Sequence, residues 1–192
     1  MTLLLKMKWV FAMIANNLET VRKTLENFKR YVIQQSKSNL TKGDKNVSKD
    51  LYNNIKGEVL SEEDYFLVGF SMPYYGQFQD KGVKGKKSSN RAPNSPFRFG
   101  TGSGKKGGLT EGILKWVKAR RIQFRNKKGK FLSYESTGYL ISRSVFNKGL
   151  KPSLFFTKPF EAGYKKYIDT DLIKAFSTDI DLMIDNIELK KW

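Results

Sequence analysis

The chain has 192 residues, 14% of them aromatic, with 36 Lys and Arg against 18 Asp and Glu and a formal net charge of +18. That length and aromatic content suit one domain with a real core, with or without extensions, and argue against global disorder. With no cysteine there is neither a disulfide framework nor a thiolate metal site, and with no histidine the commonest general base and the commonest neutral metal ligand are gone.

No cofactor is expected on these grounds. Leu3, Leu4, Leu5 and the run Trp9 to Ala15 are apolar, but Lys6 and Lys8 interrupt them, so neither a membrane span nor a signal peptide is predicted. Synthesis in a reducing cytoplasm is the expectation. The charge is uneven: residues 81–130 hold 16 basic side chains and one acidic, Glu111, so +15 of the +18 comes from about a quarter of the chain. This is either an electrostatic footprint or a solvated face.

Taken in order, Val10, Ile14, Leu18, Val21, Leu25, Phe28 and Val32 recur at helical spacing, with no Gly or Pro before Gly43. They predict a helix from about Lys8 to Ser38, roughly 45 Å long at 1.5 Å per residue. Such a helix either lies across its own domain or packs on a neighbouring subunit. Ser48 is placed to cap a short helical turn. Ile55, Gly57 and Val59, then Phe66, Val68, Phe70 and Met72, alternate with outward positions and predict a β-hairpin around Ser61 to Asp64. Pro73 ends it, and Tyr74 to Gly82 carries the chain into the basic region.

Gly82 to Gly108 contains seven glycines, two prolines, four serines and seven Lys or Arg, which predicts one long loop. Gly102, Gly104 and Gly107 fit a GxGxxG pattern, but no series of hydrophobic parallel strands surrounds it, and the P-loop pattern fails for want of GK[ST]. Leu109, Ile113, Trp116 and Val117 predict a helix ending about Arg121. Gln123 to Leu132 reads as a strand pair turning at Lys127 to Gly129 or as a charged loop. Ser133 is the predicted cap of a helix through Lys148, with Gly138, Ile141 and Val145 inward.

The stretch GLKPSLFFTKPFEAGYKKYI, Gly149 to Ile168, then places a helix stop, a rigid link and a helix start in succession. Gly149 occupies a left-handed C-cap position, and Pro152 predicts a straight connector from Leu150 to Phe156. Thr157 is the predicted N-cap, and Pro159 stands in the first turn ahead of Phe160, Tyr164, Tyr167 and Ile168 on one helical face. Asp169 and Asp171 are expected to open the last helical region, where the dipole favours carboxylates, with a break near Ser177. The expected organisation is therefore a long N-terminal helix over 1–40, an α+β core over 41–168 containing the basic loop 82–108, and a helical extension over 169–192. The sheet is expected to be small and antiparallel, the hairpin plus one or two strands, packed with several helices.

This order of parts resembles the tail-completion or neck family of tailed bacteriophages. Tyr75, Phe78, Asp80 and Gly82 match the family's aromatic turn ending in an acidic residue and glycine, and Pro152 with the pair Pro159 and Phe160 matches its later element. The likeness covers about residues 45–168. It does not extend to the long N-terminal helix, the C-terminal helix or the unusually basic loop. The richness in Lys and Asn looks like coding from an AT-rich phage and narrows the resemblance to a neck ring protein of a crAss-like podophage.

The resemblance implies a structural virion protein without catalysis. It would form a homo-oligomeric ring of six or twelve subunits in the head-to-tail neck, between the portal and other neck or tail proteins, with genomic DNA in the lumen. On that reading Lys84, Lys86, Lys87, Arg91, Arg98, Lys105 and Lys106 are the expected contacts to DNA or a partner, and Tyr75, Phe78, Phe155 and Phe156 the expected subunit interface.

Two further classes compete with this one. A free, sequence-nonspecific nucleic-acid-binding protein is suggested by the charge and by Phe97, Phe99, Phe124 and Phe131 among basic residues, although no known binding module is recognisable. A metal-dependent nuclease would have to use scattered acids such as Asp80, Asp185 and Glu188, which have no paired spacing.

Overall fold

The computed structural model describes residues 18–43, 49–62, 65–101 and 108–189. The protein is α+β, with helices and two separate two-stranded antiparallel sheets. It folds into two compact units, the first formed by Met1–Asn39, Asn54–Met72 and Phe155–Trp192, the second by Leu40–Asn53 and Pro73–Leu154.

The first unit is organised by helix α1 (Glu19–Lys42), whose Val21, Leu25, Phe28 and Val32 are all buried at the spacing the sequence predicts. The expected unbroken helix from Lys8 is not seen, because Leu18 is not helical. The amides of Thr20 and Val21 donate to the two carboxylate oxygens of Asp179 at 3.1 and 2.9 Å. A helix start leaves its first N–H groups without intrahelical partners, and this buried carboxylate supplies two of them from the far end of the sequence. Val10 and Ile14 lie outside the described residues.

Strands β1 (Lys56–Ser61) and β2 (Phe66–Ser71) form the expected hairpin, paired from Lys56 with Ser71 to Ser61 with Phe66. Val59, Phe66 and Val68 pack with Leu18, Ile168 and Leu172 against the buried Val21, Leu25 and Ala175. A second cluster is aromatic. Phe70 meets Phe28, Phe156 and Phe160 edge to face, with ring centroids 5.5 to 6.0 Å apart, a geometry that adds to simple area burial.

The C-terminal helical run is continuous, unlike the expectation of a fresh start at Asp169 and a break near Ser177. Helix α6 (Thr157–Gly163) passes into a π-helical stretch over Tyr164–Asp171 and then into α7 (Leu172–Leu189). Asp169 and Asp171 thus sit inside a widened turn and have no free helix N-terminus to stabilise. Phe156, not Thr157, holds the N-cap place of α6. Pro159 is its third residue, where a missing N–H costs nothing.

The second unit contains α2 (Asp50–Asn54), α3 (Gly76–Lys81), β3 (Val83–Lys84), α4 (Gly108–Arg120), α5 (Tyr134–Lys148) and β4 (Gly149–Leu150). Ser133 caps α5 as predicted, its hydroxyl accepting the Ser136 amide at 3.1 Å. Gly149 ends α5 with φ +91° and ψ 170°, an extended positive-φ conformation in place of the expected left-handed turn. A Cβ on Gly149 would lie 2.5 Å from the Val83 carbonyl oxygen, so close approach as well as backbone conformation requires glycine there.

The predicted straight connector to Phe156 ends early. Leu154 has φ +51°, and residues 155 and 156 form a turn. The cause lies in α3, whose last carbonyls accept from the connector: Ser153 N–H donates to Gln79 O at 3.1 Å and Leu154 N–H to Asp80 O at 3.0 Å.

Candidate nucleic-acid interface

Positive charge belongs almost entirely to the second unit. It holds 22 basic and 5 acidic side chains, whereas the first unit holds 14 and 13. Two structures in the second unit carry this charge.

The first is the region predicted as a structureless loop. Gly82 to Thr101 is held by its own backbone: β3 pairs antiparallel with β4, and Lys84 also bridges Arg98 in parallel, its N–H donating to Phe97 O at 2.8 Å. The amides of Lys86 and Lys87 donate to Phe146 O at 2.9 Å and Asn147 O at 3.1 Å, the last carbonyls of α5 that lack helical partners. Buried Ser95 closes the turn by donating to Gly82 O at 2.7 Å. The sequence gives little warning of this order because backbone bonds leave no side-chain periodicity.

The expected contact cations are spread around this scaffold. Lys84 is half-buried, whereas Lys86, Lys87, Arg91 and Arg98 are exposed. Arg91 donates to Gly149 O at 3.4 Å, and Arg98 to the Ser89 hydroxyl at 3.2 Å. Among the described residues none of these four exposed cations sits in an ion pair. Lys105 and Lys106 lie outside the described residues, as do Gly102, Gly104 and Gly107 of the GxGxxG pattern.

Beside the scaffold is a cleft of about 1220 Å³ with Phe78, Phe97, Phe99 and Phe146 in its apolar wall and Lys87, Arg98 and Arg143 as its cations. Phe78 packs on Phe97 with centroids 4.7 Å apart, and Phe99 on Phe146 at 5.8 Å. Arg143 and Tyr139, both exposed on α5, belong to this wall and were not singled out in the sequence.

The second structure is a small hairpin over Phe124–Leu132. Arg125 and Phe131 bridge antiparallel, and Leu132 N–H donates to Phe124 O at 2.8 Å. Its turn is built by Asn126, whose side-chain oxygen accepts the amides of Lys128 and Lys130, each at 3.0 Å. Gly129 supplies the positive φ, +77°, that closes it. At the hairpin base, Phe124 N–H donates to the hydroxyl of fully buried Thr137, in the first turn of α5, at 3.2 Å. Arg125, Lys127, Lys128 and Lys130 are all exposed. The strand-pair alternative for this stretch therefore describes it, in miniature.

The expected interface aromatics are placed differently from one another. Tyr75 is exposed at the start of α3 and donates to Asp50 at 2.6 Å. Partial burial, and then that carboxylate, push its hydroxyl well above the ordinary tyrosine range. Phe78 is half-buried between Tyr74 and Phe97. In the first unit Phe155 is fully buried, and Phe156 is half-buried within the aromatic cluster.

The acids weighed for a metal-dependent nuclease belong to different units, Asp80 to the second and Asp185 and Glu188 to the first. Among the described residues no three acidic side chains converge as a metal site. No described helix is long and apolar enough to cross a membrane. Comparison with protein-family models, with curated proteins and with solved structures finds no match to this chain.

Proposed function

We propose that this protein is a structural subunit of the head-to-tail neck of a tailed phage, assembling as a homo-oligomeric ring whose basic units face the genomic DNA. The observation that carries this reading is the segregation of charge into one unit of the fold, with its scaffold cations exposed and not neutralised by acids. Such a surface attracts a polyanion through phosphate contacts that hold no sequence information, as a passage for any genome sequence requires. The motif residues of the phage resemblance occupy structural positions consistent with it: Tyr75 to Gly82 spans α3 and its ends, and Pro159 and Phe160 lie in the first turn of α6.

A second reading is favoured by the aromatic wall of the cleft. A free nucleic-acid-binding protein would use Phe97 and Phe99 with Arg98 and Arg143 in the same way without forming a ring. Electron microscopy and mass measurement of the purified chain, with and without duplex DNA, separate the two. Closed rings support the neck assignment. A monomer at every concentration, still binding DNA, removes it and leaves the second reading. In either case, changing Lys86, Lys87, Arg91 and Arg98 to Gln should weaken salt-sensitive duplex binding equally for all sequences.

A further inference from the structure

The Phe124–Leu132 hairpin has features that a passive contact with duplex phosphates does not require. Phe131 is 61% exposed and Phe124 42%. The Arg125 guanidinium lies 4.3 Å from the centroid of the Phe131 ring. Because Arg125 and Phe131 are direct cross-strand partners, their side chains share one face of the hairpin. An arginine plane and an aromatic ring so paired form a flat, positively charged plate. The plate is fixed in advance, since Asn126 locks the turn and Thr137 anchors the hairpin base. Around it, Lys127, Lys128 and Lys130 crowd the turn, all of them exposed.

We propose that this hairpin is a binding site for single-stranded nucleic acid, in which the Arg125–Phe131 plate stacks on an unpaired base while Lys127, Lys128 and Lys130 meet the flanking phosphates. Stacking tolerates any base, because each has a π face, and it combines with backbone cations in sequence-independent single-strand binding. A duplex would use the lysines equally well but hides its base faces, giving the exposed ring no partner. An acidic protein surface likewise answers the charges and not the plate. The site stands or falls apart from ring assembly, because it uses one hairpin of one chain.

The test is fluorescence anisotropy of the full chain with a labelled oligothymidylate, a duplex of mixed sequence and polyglutamate, each across a salt series. The single strand should bind most tightly at moderate salt. Phe131→Ala should weaken it at least about fivefold and leave the salt slope unchanged, with affinity restored by Phe131→Tyr. Changing Lys127, Lys128 and Lys130 together to Gln should flatten the salt slope by about 2, at about 0.7 for each phosphate released from a single strand. The exposure of Phe131 means that its loss should leave the fold intact, which circular dichroism checks. Equal binding of single strand and duplex with no effect of Phe131→Ala would overturn the proposal. So would polyglutamate binding as tightly as the oligonucleotide, or a failure of the single strand to bind.

Discussion

The two units solve the problem of stability by different means. The first is close to electroneutral and holds itself by side chains: a helical stripe from Val21 to Val32, a hairpin face and an aromatic cluster around Phe70. The second carries nearly all the net charge and relies more on backbone hydrogen bonds around β3 and on glycines where chains cross. A surface dense in Lys and Arg repels itself, and a mesh of main-chain bonds orders such a segment without asking its charged side chains to pack. The contrast teaches where a protein can afford a strong field: on a scaffold whose order does not depend on burying the residues that make the field.

The sharpest way to break this contrast is Phe155→Ala. Removing a fully buried aromatic should cost about 3–5 kcal/mol, and amide exchange should rise across α1, the β1–β2 hairpin and the C-terminal helices. Equal loss of protection in β3 and α5 would show that the two units melt as one. Phe156→Ala should cost less, roughly 1–2 kcal/mol, because the ring is only half-buried and loses chiefly its edge-to-face partners. Equal melting temperatures for the two variants would contradict the burial difference.

Gly149→Ala probes the other unit. The strained positive φ alone costs about 1–3 kcal/mol, and the methyl group would also press on the Val83 carbonyl. Exchange should quicken at Val83, Lys84, Lys86 and Lys87 while α1 stays protected. Asp179→Ala should cost about 0.5–2 kcal/mol, the range for a lost helix cap, and its signature is faster exchange at the Thr20 and Val21 amides. Unchanged exchange there would mean that solvent replaces the carboxylate without penalty.

The smallest effect is electrostatic. The amide at the start of α5, and then Lys118 at 3.0 Å, hold the exposed Glu135 carboxyl below its ordinary range. A depressed carboxyl contributes stability above its unfolded value and loses it as pH falls through the folded one. An NMR titration should therefore show Glu135 ionising at lower pH than a free glutamate, with the shift reduced in Lys118→Gln.

Legibility in the sequence follows the same division. Val21, Leu25, Phe28 and Val32 are buried where their spacing puts them, and Phe66, Val68 and Phe70 face the side their alternation predicts, because burial imposes a period on side chains. Ser133 is equally legible, since a cap is a local event. The start of α1 is not legible, because its capping carboxylate, Asp179, is 158 residues from Val21. The order of Gly82 to Thr101 and the turn at Leu154 are hidden for a related reason: their bonds join main-chain atoms whose partners no local pattern specifies. The hairpin site was half visible. Its cations were counted with the basic run, but the register that sets Arg125 against Phe131 depends on the turn that Asn126 builds. The symmetry of FRNKKGKF about Lys127 and Lys128 was the available signal.

The clasp between Asp179 and the start of α1 also fixes an order in time. As the chain is synthesised from its N-terminus, every residue of the second unit has been made by Leu154, but the first unit still lacks Phe155, Phe160 and the carboxylate that receives Thr20 and Val21. Domains fold during synthesis as their sequence becomes available. The basic unit can therefore be complete on the ribosome while α1, made long before it, waits for the end of translation to acquire its cap.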